Sequence, residues 1–69
     1  MYELTVSTHS NSEAFDVVII DEELAIQYFN TAIKAIDASE VCLIDATTGE
    51  VIHLWVNGKF TVLGKTIIH

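Results

Sequence analysis

Residues 21–37, DEELAIQYFNTAIKAID, carry the clearest period in the chain. At about 100° per residue, Leu24, Ala25, Ile26, Tyr28, Phe29, Ala32, Ile33, Ala35 and Ile36 share one arc roughly 200° wide. Glu23, Gln27, Asn30, Thr31, Lys34 and Asp37 fill the remainder, so the spacing predicts an amphipathic helix over 21–37. Asp21 is placed to accept N–H bonds from the first turn, and Glu22 and Glu23 lie where the helix dipole favours negative charge. The arc exceeds the stripe of roughly 100° that a surface helix needs, so its flank calls for further cover.

Around this helix the period drops to two. Residues 2–8 set Tyr2, Leu4 and Val6 against Glu3, Thr5 and Ser7, which predicts a strand with one wet face, expected at a sheet edge. Polar residues 9–13 turn the chain into a strand over 14–20, apolar on both sides through Val17–Ile20. After the helix, 38–40 connect to a third strand over 41–45, a loop at 46–49 and a fourth strand over 51–56. Asn57-Gly58 then leads into a fifth strand over 59–63, because both central positions of a type I′ hairpin turn take positive φ. Residues 64–69 read as a strand end or a short added strand. The predicted fold class is α+β: a single domain over 1–69 with a largely antiparallel sheet of four to five strands and one amphipathic helix on one face, in the order β-β-α-β-β-β.

Unbroken pairing across the last two turns would set Trp55 opposite Phe60, Leu43 opposite Ile52 and Cys42 opposite His53. The helix-facing set would then be Val41, Leu43, Ile52, Leu54, Val56 and Leu63. The other face would gather Cys42, Ile44, Val51, His53, Trp55, Phe60 and Val62, and a one-residue slip in the 46–49 loop would exchange faces for 41–45. An apolar face centred on tryptophan and phenylalanine is what protein interfaces concentrate. Val51, His53, Trp55, Phe60 and Val62 are therefore the expected protein-interaction residues.

Composition narrows the function further. A 69-residue chain buries only about 60% of its unfolded surface, so self-association, most simply as a dimer, is expected to support it. Three basic residues against ten acidic ones, a net charge of −7, oppose direct binding to a phosphate backbone and favour encounter with a basic protein. The longest aliphatic run, Val17–Ile20, is too short to cross a bilayer, so no membrane role is expected. One cysteine and no secretory pattern at the start predict a cytoplasmic chain without an internal disulfide.

No motif spells out a reaction. Cys42 opposite His53 suggests a thiolate–imidazole pair or two metal ligands, but no CxxC, HExxH or HxxxH spacing accompanies them, and burial is the ordinary use of both. The three glycines are isolated, which leaves no phosphate-binding loop. Neither cofactor, metal nor catalytic residue is expected. The expected function is a non-enzymatic protein-interaction module that self-associates through an apolar sheet face. Two alternatives are a small acidic inhibitor of a host nucleic-acid-binding protein and a small enzyme assembled at a dimer interface. In size, charge and lack of proline the chain is similar to small accessory proteins of bacteria and their phages, a likeness that rests on no motif.

Overall fold

The computed structural model describes residues 1–11 and 14–63, with Val62 and Leu63 described by their backbone alone. Five strands and one helix follow in the order β1 (Tyr2–Thr8), β2 (Phe15–Ile19), α1 (Glu22–Ala32), β3 (Ala38–Asp45), β4 (Glu50–Val56) and β5 (Lys59–Leu63). All strands join one antiparallel sheet, ordered β2-β1-β3-β4-β5, with α1 packed on one face over β1, β3 and β2. The architecture is the α+β arrangement that the sequence predicts. The reading of 64–69 lies outside the described residues, as do Ser12 and Glu13 of the polar turn.

The helix is shorter than its apolar period. It ends at Ala32, where Ile33 caps it in a right-handed conformation and successive tight turns (Lys34 N–H to Thr31 O at 3.2 Å, Ala35 N–H to Ala32 O at 3.1 Å, Ala38 N–H to Ala35 O at 3.2 Å) lead into β3. Ala35 and Ile36 thus fall on a turn, and Ile36 is fully exposed. At the other end Asp21 occupies the N-cap position but makes no side-chain cap bond; its carbonyl accepts from Ala25 N–H at 3.0 Å. Glu22 turns aside instead to accept a 2.6 Å bond from the Tyr2 hydroxyl, tying the helix start to β1. That bond pushes the Tyr2 phenol up to about 12.

The strand alternating most cleanly, β1, is central and not at the edge. Its wet face reflects a sheet covered on one side only, and a strand in the middle of such a sheet alternates as well as one at its margin. The edges are β2 and β5. At the β4–β5 turn, Asn57 (φ 48°) and Gly58 (φ 89°) both adopt positive φ, and Trp55 faces Phe60 as predicted.

Two register shifts exchange the predicted faces of His53, Leu54, Trp55, Val56 and Phe60, while Val41, Leu43 and Ile52 keep the helix side and Cys42, Ile44 and Val51 the open side, as predicted. One, at Ile52, sets His53 opposite Leu43, Leu54 opposite Cys42 and Trp55 opposite Val41. The other, at Thr61, sets Val62 opposite Leu54 and Leu63 opposite His53. An extra residue in one strand rotates everything beyond it by one pleat position. The helix side therefore receives Val41, Leu43, Ile52, His53, Trp55 and Phe60, while Cys42, Ile44, Val51, Leu54 and Val56 line the open side. Cys42 and His53 stand on opposite faces and do not pair.

The core is Leu4, Ile19, Ala25, Phe29, Ala38, Val41 and Leu43, with Tyr2, Val6, Val17, Ile26, Ala32, Ile33, Ile52 and Trp55 packed around it. Phe29, fully buried, places its ring 5.4 Å from that of His53 and 6.2 Å from that of Phe60, both tilted. Separations in this range suit aromatic pairs and connect the helix to the half of the sheet that its backbone does not cover.

Truncation should report these faces. Phe29→Ala is expected to cost about 3–5 kcal/mol and Leu43→Ala about 2–5 kcal/mol, whereas Leu54→Ala, half-buried on the open face, should cost well below either. Urea unfolding of the three variants checks the assignment; a Leu54→Ala loss equal to that of Leu43→Ala would reverse it.

Candidate functional site

The predicted interaction residues do not form one surface. His53 is fully buried beneath the helix, Trp55 packs against the core, Phe60 is half-exposed but touches Phe29, and Val51 lies on the open face. The backbone of Val62 pairs with Leu54, and its side chain lies outside the described residues. Sequence reasoning placed three of these on the wrong face because 50–56 is apolar at nearly every position, which leaves no alternation to reveal a bulge.

The surface left over is elsewhere. β2 pairs with β1 alone, so among the described residues its outer main-chain groups face no other strand. Beside that edge, Phe15, Val18, Ile20, Leu24 and Tyr28 are all exposed, Val18 at 55% and Ile20 at 83%. They border two grooves that meet at Tyr28. One, of about 330 Å³, runs between Leu4, Phe15, Tyr28, Thr31 and Ala32. The second, of about 400 Å³, runs from Val17 around Ile20 and Asp21 to Leu24 and Tyr28. The signal for this surface was in the sequence: a strand apolar on both sides suits the middle of a doubly covered sheet, yet here it stands at the margin of a sheet covered on one side. Leu24 and Tyr28 form the flank of the wide helical arc that called for cover.

Its electrostatics are negative. On the open face Glu3 lies diagonally across from Asp16, since Glu3 faces Val18 and Thr5 faces Asp16. A hydrogen bond from the Glu3 carboxyl to Asp16, reinforced by the Asp16 charge, raises the Glu3 pKa above the ordinary carboxylate value. Two carboxyl groups thus stand close together near the free edge. At the end of β2, Asp21, Glu22 and Asp45 all act on the Tyr2 phenol, and Glu50 pairs with Asp45, which gathers these acids at one end of the molecule. Asp37 lies apart, accepting a 3.2 Å bond from the Ser10 hydroxyl while its carbonyl accepts from His9 N–H at 3.1 Å. Lys34 follows the end of α1 and Lys59 begins β5, the opposite edge.

Cys42 is half-buried on the open face. Burial, then the Glu40 and Glu3 charges, push its thiol pKa up, which keeps it protonated and opposes nucleophilic use. Among the described residues no group of three His, Cys, Asp or Glu side chains is gathered to hold a metal ion. No helix among the described residues is long and apolar enough to cross a membrane.

The carboxyl pair gives a pH dependence with a fixed sign. Because the folded-state pKa of Glu3 is raised, the folded chain holds more protons than the unfolded one between the ordinary and the raised value, and stability falls as pH rises through that window. Asp16→Asn removes the repulsion, so its melting temperature should match the wild type near pH 3 and exceed it near pH 7. A pH-independent gap in thermal unfolding between the two proteins would show that the carboxyls are not coupled.

Comparison of the chain with protein-family models, curated proteins and solved structures gives no match, so the reading of its function rests on this geometry alone.

Proposed function

We propose that the protein is a non-enzymatic protein-interaction module that binds through the free edge of β2 and the apolar surface between β2 and α1. One observation carries this reading: four exposed apolar side chains, Phe15, Ile20, Leu24 and Tyr28, with Val18 on the open side of the same strand, adjoin a strand edge with no neighbour among the described residues. Each feature alone is common on small proteins. Together they supply the apolar contacts that stabilise an interface and the main-chain bonds that orient it. The half-buried stripe of Cys42, Ile44, Leu54 and Val56 is the weaker surface, since these side chains shelter one another.

Self-association is a second reading of the same surface, supported by the geometry of the edge. Two β2 strands paired antiparallel about Val17 would oppose Asp16 to Val18 and Phe15 to Ile19, avoiding a direct carboxylate–carboxylate contact. Each copy nevertheless brings a charge of −7, so salt separates the readings. Screening strengthens association between like-charged copies and weakens attachment to a basic protein.

Leu24→Glu and Ile20→Glu place a charge at the centre of the surface without disturbing a buried group. Either is expected to weaken partner binding by at least about tenfold, roughly 1.4 kcal/mol, while changing fold stability by no more than about 0.5 kcal/mol. Affinity capture from native lysate by wild type, by these variants and by Val56→Glu on the open face provides the measurement. Loss of the captured protein in Val56→Glu, with retention in Leu24→Glu and Ile20→Glu, would move the interface to the other face. Light scattering at low and high salt tests the dimer.

A further inference from the structure

The chemistry of the partner can be read from the two sides of the β2 edge, given the interaction surface proposed above. A strand laid alongside β2 would send alternate side chains to opposite faces of the sheet. On the helix side they would meet Phe15, Leu24 and Tyr28, and the grooves between them. On the open side they would meet Val18 and two acids, Asp16 on the edge strand itself and Glu3 on the strand behind. Past the strand end lie Asp21 and Asp45. Among the described residues Lys59 lies on the opposite edge, and Lys34 follows the end of α1 without an ion pair to these acids.

We propose that the β2 edge binds an extended segment of a different protein, added as a further strand, with apolar side chains toward α1 and basic side chains toward the open sheet face. Charge complementarity selects this occupant. A second copy paired about Val17 would bring its own Asp16 and Glu3 to the same face of the seam, diagonal to the first pair, and so double the carboxylates gathered there. A lysine or arginine beside Asp16 would neutralise them. The opposite edge is less suited, since β5 carries Lys59 and is offset from β4 by the irregularity at Thr61. Main-chain bonding supplies affinity and the alternating pattern supplies selectivity, as in other strand-addition complexes.

The test uses the whole chain, isotopically labelled for NMR, titrated with a short lysine–valine alternating peptide and with its glutamate–valine counterpart. The lysine peptide is expected to shift and protect from exchange the amides of Phe15–Ile19, with affinity falling about tenfold or more between low and moderate salt. Asp16→Lys should abolish that binding with the spectrum of the fold retained, and the glutamate peptide should leave β2 unmoved. Equal binding of both peptides at β2 would overturn the basic-partner inference and leave the interaction surface standing. Concentration-dependent shifts of the same amides without peptide would do likewise, making the occupant a second copy. Shifts confined to β5 or to Cys42 and Leu54, or none at all, would overturn the inference, and the lysate capture decides the surface independently.

Discussion

One helix has to cover five strands, and the rest of the structure adjusts to that mismatch. Strand axes about 4.8 Å apart make the sheet roughly 19 Å wide between its outer strands, while a helix with its side chains spans about 10–12 Å. Packed over β1, β3 and β2, α1 leaves β4 and β5 to be reached by side chains alone. Phe29 does this, extending from a fully buried position to the rings of His53 and Phe60. Ala25 makes it possible, since a fully buried small side chain lets the helix backbone approach the sheet closely.

The irregularity at Ile52 completes that half of the core. Without the extra residue, His53 and Trp55 would face outward and Leu54 and Val56 would lie beneath the helix. With it, aromatic and imidazole rings fill the space beyond the helix, where the longer reach of a ring matters more than the bulk of a branched aliphatic side chain. The open face receives the shorter residues, Cys42, Ile44, Leu54 and Val56, which shelter one another. A surface expected from sequence to present tryptophan and phenylalanine thus presents small aliphatic groups.

On the opposite margin no such reach exists. Leu24 and Tyr28 sit on the flank of α1 toward β2, Phe15 and Ile20 remain exposed near them, and Val18 is exposed on the open face of the same strand. Acids at Asp16, Glu3, Asp21 and Asp45 surround this margin, while among the described residues Lys59 lies on the opposite edge. Among the described residues, apolar surface and negative charge therefore coincide at one edge of the sheet. That coincidence, and not the total charge, gives the surface a preference among partners.

The sequence by itself determined the five strands, the helix, their order and the Asn57-Gly58 hairpin, because each depends on periodicity or on the φ requirement of a few residues. It also revealed a helical arc too wide for one sheet and a second strand apolar on both sides, which are the two components of the candidate site. Tertiary structure alone decided that β1 lies inside the sheet and β2 at its edge, since a strand's alternation records which faces are wet and says nothing about its neighbours. It also decided which residues of β4 face the helix. From Val51 to Val56 only His53 is polar, and a run without alternation fits either register, so the choice fell to packing around Phe29.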